Sequence, residues 1–218
     1  FMHTLDAALF LVFGSQSQAR QAIARVDAVH GRVRGVLREA VGSYERGTPY
    51  NARDPHLLLW VYGTTIDSEL LTFERYLGRL RADEQERYFQ DTAPSIVALG
   101  VPEEQMPATL AGLRAWLQEA LESDVAIGGF QRELAYSVLH PQLRFVPKWV
   151  SKPFASITLG LLPEKVREAY GFPYGPVERV LYLASPPLVR LALKLMPRRL
   201  RYLPLNRARR LGIEVGDA

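Results

Sequence analysis

Four histidines are the residues on which metal or redox chemistry could be built in this chain, because it has no cysteine. That absence excludes disulfides, zinc–thiolate sites, iron–sulfur clusters and a cysteine nucleophile. His30 stands out among the four. It belongs to the series Ile23, Val26, His30, Val33, Leu37, spaced 3, 4, 3 and 4 residues apart. Such spacing defines one face of an α-helix, and the other members are all aliphatic. A histidine in that stripe faces the interior. Two chemistries follow from such a placement. One is a neutral core histidine bonded to a backbone carbonyl. The other is an axial ligand to a buried metal or haem, since neutral imidazole is the usual proximal ligand and an apolar wall suits a porphyrin face. Periodicity alone favours the first.

The remaining polar groups carry weaker signals. His56 follows Pro55 in the first turn of a helix, where it is expected to face solvent. His140 precedes Pro141 at a helix end, where a cation is welcome. No HxxxH or HExxH spacing occurs, the glycines form no phosphate-binding pattern, and no GxSxG elbow suggests a hydrolase. Tyr62 lies on a second stripe, Leu59, Tyr62, Ile66, Leu70, Phe73 and Leu77, and so faces inward with a hydroxyl that needs a partner. A packed core tyrosine is the favoured reading. Thr65 and Asp67 interrupt the same helix with polar groups, and an inward Asp67 calls for an arginine in a structural ion pair.

Helices must position these residues, because helical periodicity runs nearly everywhere and strand signals are nearly absent. A first helix is expected over about 2–13, ending at Gly14. A second is expected to start at Ser15 or Ser17 and run to about Val41. A turn-rich connector, SYERGTPYNA, follows. Asp54 and Pro55 then open a third helix to about Arg81, with a capping carboxylate and a proline in the first turn. It is expected to pack against the His30 helix, burying Leu59, Ile66, Leu70 and Phe73. A fourth helix is expected from Asp83, interrupted before Pro94, and a fifth from Met106 and Pro107. After Gly128 and Gly129 comes the helix FQRELAYSVL. Prolines then punctuate a set of short helices, with a longer one at about Leu188–Leu195.

The 218 residues, 48% hydrophobic and 23% charged, make an ordinary globular composition. With no repeat and no linker, a single domain over 1–218 is expected. No stretch reaches the ~20 apolar residues of a membrane span, and no signal peptide is visible, so a cytoplasmic setting is expected. The net charge of +4 is uneven. Residues 179–213 hold nine Lys or Arg and no acid, which leaves −5 on the rest. Leucines alternate with these cations. The favoured reading is a solvated face whose leucines cover the core; the next is peripheral contact with an anionic membrane. No nucleic-acid-binding motif is present, so no nucleic-acid partner is expected.

The segments RVDAVHGRVRG, GTPYNARDPHLLLWVYGTTIDSELLTFERYLG and LGVPEEQMPATLAGLRAWLQEAL, in that order, resemble the catalytic domain of the rubber oxygenase (latex clearing protein) family and its ER-bound fungal relatives. The resemblance covers about Phe1 to Arg201. It rests on an Arg–Val…His–x–x–Val–x–Gly helix, a Tyr–x–Ala–x–Asp–Pro turn and a Trp–Val–x–x–Thr helix. It implies an all-α fold with a globin-like helical core, haem b as cofactor, and cleavage of carbon–carbon double bonds with dioxygen. It makes His30 the axial ligand, with Val26, Val33 and Tyr62 near the cofactor. The family's distal arginine would fall one residue before Phe1; its basic residue and threonine match His3 and Thr4. Tyr62 stands where many members carry histidine.

Together these readings give a haem b-dependent oxygenase acting on an apolar, unsaturated small molecule or lipid-like substrate. The rival is a non-catalytic helical domain that binds an apolar ligand or partner, with His30 as a core residue. A haem absorption band separates the two.

Overall fold

A computed structural model describes residues 2–123, 125–140 and 148–213, and within them all side chains but those of 2–4, 148–152, 198–199 and 203. Two helices come first, α1 (Met2–Phe13) and α2 (Gln16–His30). Gly14 and Ser15 join them, and α2 returns along α1 as a helical hairpin. Ser15 caps α2: its hydroxyl accepts from the Gln18 amide at 3.3 Å, and the Gln18 side chain accepts from the Ser15 amide at 3.0 Å.

α2 stops at His30 rather than near Val41. The next residues form a short antiparallel ribbon, β1 (Arg34–Val36) and β2 (Pro49–Asn51), with Arg34 opposite Asn51, Gly35 opposite Tyr50 and Val36 opposite Pro49. The physical reason lies in the turn that follows Gly31. The amides of Arg32 and Val33 bond back to the carbonyls of Val29 and His30, at 3.0 Å each, which tightens and ends the helix. Gly42 (φ 59°) and Gly47 (φ 93°) then supply left-handed turns that only glycine adopts freely, and the chain doubles back. Val33 and Leu37 therefore leave the helical stripe, and the supposed connector carries a strand.

The long helix α3 (Pro55–Tyr76) starts where expected, with the Asp54 carboxylate accepting from the His56 amide at 2.9 Å. α4 (Ala82–Ala98) runs straight through Pro94 instead of breaking there. α5 (Leu110–Ser123) begins later than Met106, after a single turn at Glu103–Gln105, because the Thr109 hydroxyl accepts from the Gly112 amide and sets the helix start. These three helices enclose the largest core: Leu58, Leu59, Ile66, Leu70, Phe89, Ile96 and Leu113 are buried together. Each such side chain contributes roughly 1.5–3 kcal/mol by leaving water.

α3 packs on α4, α5 and α9, while α2 packs on α1; the broad α2–α3 interface expected from the two stripes is not formed. The α3 stripe is buried at Leu59, Ile66 and Leu70 but surfaces at Phe73, 42% exposed, and at Leu77. Beyond Leu70 the buried edge of the helix moves round to Tyr76, which meets α9. The apolar series continues in sequence on a face that α4 and α9 leave open.

α6 (Gly129–Leu139), α7 (Lys148–Leu161) and α8 (Glu164–Tyr170) share a second cluster around Leu139, Ala155 and Leu159. α9 (Pro176–Leu195) is a 20-residue helix that carries Pro186 and Pro187 within it. α10 (Arg198–Arg201) and α11 (Leu203–Arg210) finish the described chain, and α11 packs on α1 through Leu9, Ala208 and Ile213. Three cations of the basic segment serve the fold. Arg190 and Arg201 donate to carbonyls at the ends of α3 and α9, and Arg207 pairs with Asp6 of α1. The leucines cover the core only in part: Leu211 packs on the Leu9–Ala208–Ile213 cluster, whereas Leu188, Leu191 and Leu195 of α9 are exposed. Among the described residues, no helix is long and apolar enough to cross a membrane.

Candidate functional site

His30 is the last residue of α2. Its ring is half-buried and has no hydrogen bond, ion pair or ring contact among the described residues. The bonded core histidine that periodicity favoured is therefore not what the fold builds. Val26, one turn earlier, is half-buried. Val29 and Val33 are 58% and 45% exposed, so uncovered aliphatic surface adjoins the free imidazole in the chain. Val33 stays next to His30 through its amide, not through a shared helix face.

His3 and Thr4 belong by their backbone to the start of α1, and their side chains lie outside the described residues. α1, which carries them, packs against α2, which carries His30.

Tyr62 sits elsewhere. It packs against the α3–α4–α5 core, to which α2 contributes no residue. Burial raises the Tyr62 phenol pKa above its ordinary value, and its hydroxyl has no hydrogen-bond partner among the described residues. Asp67 makes the expected ion pair: Arg114 Nε donates to Asp67 Oδ1 at 2.8 Å, joining α5 to α3. His56 is exposed, yet its ring meets Trp116 edge-on with centroids 5.0 Å apart. His140 stacks on Tyr136 at 4.3 Å, at the end of α6.

One feature was missed in the sequence. An open groove of about 710 Å³ runs along α3, lined among others by Thr64, Thr65, Ser68, Phe73, Leu77 and Val189. The Thr64 and Thr65 hydroxyls donate to the carbonyls of Trp60 and Val61, at 2.8 and 2.7 Å, and so present mainly methyl groups outward. The signal was the series Thr65, Ser68, Thr72, small hydroxyl residues at helical spacing, of which only Thr65 was read, as a polar interruption of the helix. His30, Val26, Val33 and Tyr62 do not line this groove.

Residues 1–210 match the family described as the catalytic domain of the ER-bound oxygenase mpaB/B′ and rubber oxygenase. The chain belongs to this family. No curated protein and no solved structure gives a significant match.

Haem requires an imidazole nitrogen free to bond iron and apolar surface for the porphyrin. His30 and the valines around it in the chain provide both. Among the described residues, no three His, Asp or Glu side chains are grouped to hold a metal ion alone. The unpartnered imidazole and the aliphatic surface beside it fit the chemistry of a haem ligand.

Proposed function

We propose that this protein is a haem b-dependent oxygenase acting on an apolar, unsaturated small molecule or lipid-like substrate, with His30 as axial ligand. The observation that carries the proposal is the unpartnered imidazole at the end of α2, in a chain whose family is named for oxygenases. Bound haem would supply the activation of dioxygen. In this reading His30 would hold the haem iron, Val26 and Val33 would border the porphyrin, and His3 or Thr4 would supply a hydrogen-bond donor. Tyr62, packed against the α3–α4–α5 core, would serve as a packing residue. A cytoplasmic setting is part of the same proposal.

The test is a visible spectrum of the purified protein with haemin. A Soret band that His30→Ala abolishes, with helicity retained, is the expected result. A wild type that stays colourless, or a variant that keeps the band, would defeat the assignment.

The α3 groove favours a second reading: a helical domain that holds an apolar ligand between Phe73, Leu77 and Val189 without chemistry. It predicts binding of a fluorescent fatty acid that survives His30→Ala and is lost in Ser68→Trp.

A further inference from the structure

The end of α2 is held from outside the helix. Arg53 lies in the turn between β2 and α3, which Asn51 shapes by accepting the Arg53 amide on its side chain and the Asp54 amide on its carbonyl, both at 3.0 Å. From there the Arg53 guanidinium reaches back to α2. Its Nε and Nη2 donate to Asp27 Oδ1 and Oδ2 at 2.8 and 2.7 Å, a bidentate fork. Nη2 also donates to the Asp27 backbone carbonyl at 3.1 Å, the same carbonyl that receives the Gly31 amide at 2.9 Å. On the other side of His30, the Ala52 amide donates to the Val33 carbonyl at 2.9 Å. His30 is thus bracketed: Asp27 three residues before it and Val33 three residues after it are both fastened to the segment Ala52–Arg53.

Gly31 belongs to the same arrangement. Its backbone is ordinary right-handed helix (φ −60°, ψ −19°), so no conformational need calls for glycine. The need is spatial. A Cβ at position 31 would stand 2.8 Å from the Arg53 guanidinium carbon and 2.9 Å from Nη2. The guanidinium, held on Asp27, occupies the place that Cβ would take, so an added methyl group pushes on the fork.

We propose that Arg53, working through Asp27 and over Gly31, is the positioning residue for the His30 imidazole; its value for ligation rests on the haem reading above. The ion pair is about half in solvent on both sides, so it contributes little to global stability. What it does instead is fix one turn. A ligating histidine is held in place by groups that do not themselves touch the metal, and loss of one such partner commonly weakens binding roughly 10- to 100-fold.

The experiment uses the full chain in two states. In the haem-free protein, labelled at histidine, the His30 ring signal is followed by NMR. In a parallel haemin titration, affinity and Soret position are read. Arg53→Ala is expected to shift or broaden the His30 signal and weaken haemin binding about tenfold or more, while the thermal melt barely moves. Arg53→Lys, which keeps the charge but loses the fork, recovers only part. Gly31→Ala reproduces the Arg53→Ala signature in the wild-type background and adds nothing to it in the Arg53→Ala background. Should Arg53→Ala fail to fold, Asp27→Asn, of equal size, is expected to show the same ring signature. An unchanged His30 signal in Arg53→Ala, or an additive effect of Gly31→Ala there, would overturn the proposal. A wild type that takes up no haemin would overturn the haem reading alone, and the ring signal would still judge the clamp.

Discussion

Arg190 Nε, on α9, donates to the carbonyl oxygen of Tyr76 at 3.0 Å, and its Nη2 donates to that of Arg75 at 3.2 Å. A charged side chain from another helix thus closes the C-terminal end of α3, where carbonyls have no partner within their own helix. The contact is reciprocal. Arg75 Nη2 donates to the Tyr182 carbonyl at 2.7 Å and its guanidinium lies 3.6 Å from the Tyr182 ring centroid, while the Tyr76 hydroxyl meets Ser185 Oγ at 3.1 Å. Arg190→Ala should cost about 1–2 kcal/mol, since it removes two charge-assisted bonds at a part-exposed site. Chemical denaturation measures this, and a loss under about 0.5 kcal/mol would mean that water serves those carbonyls equally well.

Phe89 and Phe73 should respond oppositely to truncation. Phe89 is 1% exposed within the α3–α4–α5 core, so Phe89→Ala should cost about 3–5 kcal/mol. Phe73 lines the open groove, and Phe73→Ala should cost less than about 1 kcal/mol. Equal losses in parallel melts would show that the groove is closed in solution.

These two residues show how far the sequence could be read. Periodicity identified α3, its cap and the inward set Leu59, Ile66 and Leu70, because a 3.6-residue repeat is a local property of the chain. It could not show which face the neighbouring helices leave open, so Phe73 read like Leu70. At the site the same limit acted on α2. The stripe through His30 continued in sequence to Leu37, but the tightened turn after Gly31 took Val33 out of the helix. That Gly31 makes room for Arg53, 22 residues away, is a tertiary fact with no local signature. The family pattern assigned His30 to ligation where spacing favoured a bonded core histidine, and the bond is absent among the described residues.

Tyr88 should titrate late. Its hydroxyl donates to Glu69 Oε2, and burial first, then this bond and the Glu69 charge, raise its pKa well above 10.0. The neutral form is thus favoured in the folded state. The resulting stability is complete below the unfolded phenol's pKa of about 10 and fades as pH rises towards the folded value. Alkaline difference absorbance of wild type against Tyr88→Phe should show one fewer late-titrating phenol in the variant. A missing step near pH 10 instead would mean that the bond to Glu69 does not persist in solution.

Anionic vesicles should bind this protein in a salt-sensitive way. Of the cations in 179–213, Arg190, Arg201 and Arg207 are engaged within the fold, whereas Arg179, Lys194, Arg209 and Arg210 have no partner among the described residues. Beside them, α9 shows Val177, Val180, Leu188, Leu191 and Leu195 to solvent at helical spacing. Exposed aliphatic residues alone would suit any apolar partner, and cations alone any anion. Their combination on one segment suits a surface that is apolar below and anionic above. Each lysine or arginine near such a surface is worth about 1 kcal/mol, and the attraction is screened over about 10 Å at 0.1 M salt. Co-sedimentation with phosphatidylserine vesicles should therefore be strong at low salt and weak at high salt. Arg209→Glu with Arg210→Glu should lower it at low salt, and Leu188→Asp should lower it at both. Binding that ignores salt, or that is equal on zwitterionic vesicles, would leave the exposed face of α9 to an apolar partner and remove the basic segment from the account.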